Sequence, residues 1–262
     1  MQLLDYTRRA AEDHGEAFRE GPASVTVLAY FFRDEESYDE KFVHLAGAIL
    51  ETWRHCGRMK TVIVANRIGN ALARFAARYP WVEVQVEPML VPGDIDSMSI
   101  DCIARLGSRF ATDYVLIVQD DGFPLRPGID EFVGLGYDFI GAPFCRDLWL
   151  PRLLTRVLRF APMNGGFSLR SRHCCQVVSS YWMKHYADLP FCADFVEDNF
   201  ITNFLPRRHP GAWIRVCPSP CGIAARFSYD GSIPFNRNNG LPFGFHSWRA
   251  FRDLIDWGFL RV

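Results

Sequence analysis

Tyr114 to Leu125 reads YVLIVQDDGFPL. Five apolar or aromatic residues, Tyr114 to Val118, run straight into Gln119, Asp120, Asp121 and Gly122. An apolar run of this length, closed by a turn signal, predicts a strand buried on both faces of a sheet. Its carboxylates then stand just past the carboxyl end of the strand, where open α/β sheets bind ligands. Adjacent acids pushed toward a crevice are costly without a cationic partner. Oxygen ligands suit magnesium or manganese, so a divalent ion carrying a nucleotide diphosphate is the candidate partner. The plainer alternative is a turn, because Asp and Gly favour turns without any ligand.

Upstream, the chain alternates between strands and helices. VTVLAYFF at 25–32 predicts a buried strand that ends in the polar loop Arg33-Asp34-Glu35-Glu36. Ser37 and Glu40 have capping-box spacing ahead of a helix with Phe42, Leu45, Ile49 and Trp53 on one stripe. TVIVA at 61–65 predicts a second strand, followed by Asn66-Arg67, and a short helix through Leu72 and Phe75 stops at Pro80. Val82, Val84 and Val86 alternate with polar residues, as in a half-exposed strand. After Pro92-Gly93, Ser97 to Phe110 predicts another helix. The alternation argues for an α/β fold, a mostly parallel sheet with helices on both faces. Ahead of it, residues 1–22 predict a charged amphipathic helix ending at Gly21-Pro22.

Composition narrows the classes. The 262 residues are 49% apolar and 23% charged, ordinary for a globular chain, with 22 Phe among them. Net charge is −1 with no long basic block, which argues against a nucleic-acid partner. The eight cysteines form no CxxC pair, so zinc-ribbon and secreted-scaffold spacings are missing. No apolar segment approaches the roughly 20 residues of a membrane span. The opening residues mix acids and bases, unlike a signal peptide. A soluble, reduced, cytoplasmic protein is expected. No GxGxxG follows the first strand and no GxxxxGK[ST] occurs, which argues against dinucleotide and P-loop enzymes.

Downstream, YDFIGAPF at 137–144 predicts a strand ending at Pro143, and NGGFSLR at 164–170 places a glycine pair before another. Residues 147–160 predict a basic amphipathic helix, which packs on its own domain, closes over a substrate, or contacts the inner membrane peripherally. Arg172 to Tyr186 predicts a helix, and Ala193 to Leu205 another, capped by Asp194. Glu197-Asp198 then fall in a first turn, where the helix dipole favours ionised carboxylates. Taken alone, that pair reads as dipole compensation, and His246 in LPFGFHSW (241–248) as a structural histidine.

Together, QDDG after an apolar strand, YDFIGAP, NGGFSLR, the Glu-Asp pair and PFGFH resemble a glycosyltransferase of the GT-A type. Over about residues 25–250 they resemble a bacterial and fungal domain family that shares NGGFSLR and PFGFH. The resemblance implies one GT-A-like domain over 1–262, with a nucleotide-binding half (about 23–125) and an acceptor half (about 126–262). It implies a transferase for a nucleotide-sugar donor and a glycan or other hydroxyl acceptor, inverting and dependent on Mn2+ or Mg2+, with a place in polysaccharide biosynthesis. In GT-A enzymes an Asp-x-Asp element binds the metal and diphosphate. Asp121 matches its last Asp and Asp120 its middle residue, while Gln119 replaces the first Asp and removes a formal charge. His246 matches the metal histidine, Asp198 the base, and Glu197 the base's neighbour.

The chemistry asks for this set. A divalent ion stabilises charge on a leaving diphosphate, and a carboxylate within hydrogen-bond reach takes the acceptor proton. Gly165 and Gly166 let backbone approach a sugar closely, beside Asn164. Arg33 and Asn66, after the first two strands, are candidate donor contacts by topology. Two alternatives stand: an inactive nucleotide- or sugar-binding module, to which Gln119 points, and a nucleotidyltransferase, for which FFRDEE lacks the glycine-rich basic loop.

Overall fold

A computed structural model of the chain describes residues 3–12, 18–143, 163–217, 222–231 and 240–260. The helix expected at 147–160 lies outside the described residues. Among those described, six strands form one sheet: β1 (Val25–Phe31), β2 (Thr61–Ala65), β3 (Val82–Val86), β4 (Tyr114–Ile117), β5 (Phe139–Pro143) and β6 (Met163–Ser171). Their order is β3-β2-β1-β4-β6-β5. β3, β2, β1 and β4 pair in parallel, whereas β6 runs antiparallel to both β4 and β5. The expected mostly parallel α/β sheet is therefore present, with an antiparallel edge.

Each central strand is apolar along its whole length because helices cover both faces. Val25, Val27, Ala29 and Phe31 face a core with Phe42, Leu45, Ile49 and Trp53 of helix α2 (Tyr38–Cys56). Leu28 and Tyr30 face the opposite core, with Met98 and Cys102 of α4 (Ile95–Arg105). All seven residues of β1 are buried. The edge strand β3 is mostly half-buried, as its alternation predicts. Helix α1 (Leu3–Glu12) lies on α2, and α3 (Asn70–Arg78) joins β2 to β3. Beyond β4 come α5 (Ile129–Gly134), α6 (Arg172–His185), the one-turn α7 (Gly222–Phe227) and α8 (Trp248–Asp256). A two-stranded pair, β7 (Ser228–Tyr229) and β8 (Gly244–Phe245), completes the fold. It seats Phe245 on Phe123, whose ring centroids are 4.8 Å apart in an edge-on contact.

Three sequence expectations are corrected. The N-terminal helix does not run to Gly21-Pro22. Residues 18–21 leave helical geometry because they pair with the end of α2: Arg58 N donates to Arg19 O at 2.7 Å and Gly21 N to Arg58 O at 2.9 Å. Ser37 makes no side-chain cap to α2. It ends a 3-10 turn, Glu35–Ser37, that enters the helix directly, so there is no break to cap. Finally, 193–205 is not one helix. A 3-10 turn (Ala193–Phe195), a short α segment (Glu197–Asn199), a π segment (Phe200–Phe204) and a last turn (Leu205–Arg208) succeed one another. Val196 is extended between the first two (φ −58°, ψ 129°), so Asp194 caps nothing. The interruption lets Phe195, Phe200 and Phe204 gather around Trp182 and Tyr186 of the α6 end. Such aromatic pairs contribute about 0.5–1.5 kcal/mol each beyond area burial, enough to outweigh the propensity of a continuous helix.

Candidate functional site

Strand direction assembles the site. Because β1, β2 and β4 are parallel neighbours, the residues after them, Arg33, Asn66 and Gln119–Asp121, emerge along one edge. Because β6 is antiparallel to β4, with Ile117 opposite Ser168, its amino end brings Asn164-Gly165-Gly166 to the same edge. Sequence distance is irrelevant once the register is set.

After β4 the chain makes a tight turn. Gln119 N donates to Gly122 O at 2.9 Å and Gly122 N to Gln119 O at 3.1 Å, leaving Asp120 and Asp121 at the tip. The turn expected from Asp-Asp-Gly is thus real, and side chains from elsewhere meet it. Ser247 N donates to Asp121 O at 2.8 Å. His246 Nε2 lies 2.9 Å from Gln119 Oε1 and 3.5 Å from Asp121 Oδ1. Burial raises the Asp121 carboxyl above its ordinary range, against the pull of His246 and with a push from Asp120. Two glycines make room for the imidazole. A Cβ on Gly122 would come within 3.0 Å of His246 Cδ2, and one on Gly166 would collide with Nε2.

On the other side of the turn, Arg33 Nη2 lies 3.5 Å from Asp120 Oδ2. Arg33 N donates to Asn66 Oδ1 and Asn66 Nδ2 to Arg33 O, both at 3.3 Å, so the loops after β1 and β2 are tied together. Tyr30, Phe31, Phe32, Arg33, Gln119 and Asp120 line part of a cavity of about 150 Å³. Its mix of aromatic walls and one cation suits a planar, polar ligand. Arg33, Asn66, Gln119, Asp120, Asp121 and His246 are therefore brought to one place.

The second acidic centre faces the glycine pair. Gly165 N lies 3.4 Å from Asp198 Oδ2, to which it donates, and Gly166 N donates to Asn164 Oδ1 at 2.8 Å. The Asn164 side chain thus folds back on its own turn. Burial, then the adjacent Glu197 carboxylate, raises Asp198 to about 7. The helix dipole invoked from sequence does not hold it low, because burial and the adjacent Glu197 carboxylate outweigh it. Glu197 is 6% exposed and pairs with Arg170, at 2.6 Å, rather than facing the opening. Chain geometry across Gly165-Gly166 keeps Asp198 Oδ2 and His246 Nε2 within about 12 Å.

Sequence reading missed two residues. Arg170 closes NGGFSLR and, at 0% exposed, is the buried partner of Glu197. A charged residue ending an apolar strand was the available signal. Ser247 has φ 91°, and nothing in its identity announces that.

The donor set is a partial one for a divalent ion. A carboxylate, an imidazole nitrogen and an amide oxygen converge where Gly166 leaves space. His246 Nδ1 is buried without a hydrogen-bond partner, so no second group orients the ring. Among the described residues no group of three or more His, Cys, Asp or Glu is spaced for a metal, so ligand oxygens would have to complete the sphere. No helix among them is long and apolar enough to cross a membrane.

Comparisons with known proteins follow this geometry. Among solved structures, the galactosyltransferase LgtC in complex with donor and acceptor sugar analogues is 18% identical. That match covers 84% of this chain and 86% of LgtC, with a TM-score of 0.50. Mouse xyloside xylosyltransferase 1, apo form, is 11% identical over 85% of this chain and 97% of its own, also at 0.50. At such identities the likeness bears on the fold, and the fold is that of GT-A glycosyltransferases. A search of curated proteins finds no match. One family model, described as a protein of unknown function (DUF5672), matches residues 104–246, from the end of α4 to His246. That span exceeds half the chain and holds β4, the glycine pair, the Glu-Asp pair and the histidine, and the chain belongs to the DUF5672 family.

Proposed function

We propose that the protein is a glycosyltransferase that moves a sugar from a nucleotide-sugar donor to a hydroxyl of a glycan or other acceptor. The observation that carries this reading is Asp198. A carboxylate raised to about 7 by burial and by Glu197 stands one glycine dipeptide away from the Asp121–His246 cluster. A proton acceptor works best with its pKa near the operating pH. The GT-A fold of the neighbours supports the assignment as analogy only.

In this reading Asp121, His246 and Asp120 would hold a Mn2+ or Mg2+ ion, next to Gln119. When bound, the ion offsets negative charge on the leaving diphosphate. Arg33 and Asn66 contact the nucleotide, and the Gly165-Gly166 backbone lies against the sugar, beside Asn164. Asp198 accepts the acceptor's hydroxyl proton as that oxygen bonds to the anomeric carbon. The bond from that carbon to the diphosphate oxygen breaks on the opposite side, and nucleoside diphosphate leaves. The anomeric configuration inverts. The whole chain acts as one domain, its donor half about 23–125 and its acceptor half about 126–262.

Asp198→Asn tests the assignment. The amide keeps the shape and cannot accept the proton, so turnover should fall about 10²–10⁴-fold. Nucleoside diphosphate affinity, measured by calorimetry, should be unchanged. Released nucleoside diphosphate is followed over a panel of nucleotide sugars, and proton NMR of the product gives the anomeric outcome. Near-normal turnover of the variant, or a retained configuration, refutes the base. The inactive-module alternative predicts donor binding with no turnover for any donor and acceptor of the panel.

A further inference from the structure

Arg170 is buried completely, and a guanidinium taken from water has to have its donors met. Nη2 donates to Glu197 Oε1 at 2.6 Å and to Gly165 O at 3.1 Å. Nε donates to Ser168 Oγ at 3.0 Å, and Nη1 points to Cys102 Sγ at 3.2 Å. The guanidinium carbon lies 5.1 Å from the centre of the Phe139 ring. Ser168 Oγ in turn donates to the same Gly165 carbonyl at 2.7 Å.

Two of the hydrogen bonds on Asp198 lead back to this group, while Asn199 N donates to its Oδ1 at 2.6 Å and Thr202 Oγ1 to its carbonyl at 2.7 Å. The Asp198 backbone N donates to Glu197 Oε2 at 2.7 Å, the second oxygen of the carboxylate that Arg170 holds. Its Oδ2 faces the amide of Gly165, whose carbonyl Arg170 also holds. A Cβ on Gly165 would collide with Glu197 Oε1 and come within 2.7 Å of Arg170 Nη2, so the glycine leaves the space that the ion pair fills. We propose that Arg170 is a positioning residue: through Glu197 and Gly165 it fixes where the Asp198 carboxylate stands beside the glycine pair.

A buried ion pair is a poor way to gain stability, since apolar residues of similar volume serve as well or better. Its geometry here meets a different need. The planar fork reaches a carboxylate and a carbonyl at once, which an ammonium cannot do with the same rigidity. The proposal rests on the reading of Asp198 as the base. The thiols around it, Cys102 and Cys175, are pushed up to about 12 by burial and stay neutral. Glu197 and Arg170 are then the charges that act on Asp198 from its neighbours, Glu197 raising its proton affinity and Arg170 lowering it by less.

The test uses the full-length protein with Arg170→Met/Glu197→Met, which removes both charges at similar volume, and Arg170→Lys, which keeps the charge without the fork. The double variant should fold, bind nucleoside diphosphate with unchanged Kd and keep its donor KM within about 2-fold. Its kcat should drop by at least about 10-fold, and the acid limb of its pH profile should move down. A double variant with wild-type kcat and pH limb overturns the proposal. If the double variant does not fold, Arg170→Lys carries the kcat readout, and a wild-type kcat there overturns the proposal as well. A measurement without turnover separates this proposal from the functional one. The Tm change caused by Asp198→Asn is recorded against pH in wild-type and substituted backgrounds. A moved midpoint with no transfer in any background supports the positioning role and overturns the transferase reading. An unmoved midpoint overturns the positioning role.

Discussion

Ser247 holds the only positive φ, 91°, among the described non-glycine residues, and it follows His246 directly. Such a conformation costs about 1–3 kcal/mol. Four bonds keep it: Ser247 N to Asp121 O at 2.8 Å, its hydroxyl to Asp230 O at 3.0 Å, Ala250 N to its hydroxyl oxygen at 3.3 Å, and Phe251 N to its carbonyl at 3.2 Å. Ser247→Gly relieves the strain and loses the two hydroxyl contacts, of which the cap to Ala250 is worth a few tenths of a kcal/mol against Gly. We expect stability unchanged or raised by up to about 1 kcal/mol, with weaker metal-dependent nucleotide binding as His246 gains freedom. A Tm lower by more than about 4 °C would show that the strain argument is mistaken. Asp198 gives a second prediction at this scale. Its folded pKa, about 7, exceeds the ordinary 3.8, so between those values the folded state binds the extra proton. Stability from this group is full below about pH 4 and is lost as pH rises through 7. Asp198→Asn should therefore melt above wild type at pH 8, by on the order of 1 kcal/mol after allowance for partial exposure, and the gap should close by pH 4. Equal melting at both pH values would contradict the raised affinity.

Helix α1 is attached to α2 through a close approach. Thr7 Oγ1 lies 3.1 Å from His44 Nδ1, Tyr6 donates to Glu51 Oε2 at 2.9 Å, and a Cβ on Gly47 would collide with the Thr7 carbonyl. Two magnitudes compete in Gly47→Ala. Alanine favours the interior of α2 by about 1 kcal/mol, while separation of α1 exposes buried Leu3, Thr7 and Ala10. The substitution should leave the sheet intact and increase amide exchange over Leu3–Glu12, read by hydrogen-exchange mass spectrometry. Unchanged protection of α1 would mean that the helices tolerate the methyl. The segment 193–208 makes the complementary point. Its sequence carries a helical pattern, yet the break at Val196 turns Glu197 inward to Arg170, which local propensity cannot register.

The molecule as a whole gathers polar side chains from residues 33 to 246 at one edge of its sheet. A ligand bound only by the folded state stabilises it by about 2.7 kcal/mol at 100 times its Kd. A nucleoside diphosphate with manganese should thus raise Tm by roughly 5–10 °C for a chain of this size. Chelator should remove the shift, Asp121→Ala should abolish it, and His246→Ala should reduce it without lowering the Tm of the free protein. If the shift survives chelation in full, the metal assignment fails. If His246→Ala lowers the free Tm and leaves the manganese titration untouched, the histidine is structural. The aromatic contacts around Phe245 lie behind this test, because they hold the His246 backbone whichever outcome is found.

What the sequence determined by itself was local and periodic. The apolar runs at 25–31, 61–65 and 114–117 specify strands covered on both faces, and burial of alternate side chains leaves them few other places to go. The turn at Asp120-Asp121 was equally legible, since it depends on backbone geometry at the residue itself. Glycine, by contrast, is needed at 165 and 166 because Glu197, Arg170 and His246 occupy the space a side chain would take. Tertiary structure decided what those residues meet. The antiparallel entry of β6 sets the glycine pair beside the acidic turn, and the β7–β8 pair brings His246 to Gln119 and Asp121. The same assembly gives Asp198 its proton affinity by removing it from water next to Glu197. Register and burial are properties of the whole chain, because each depends on segments tens of residues away whose packing free energy exceeds any local preference.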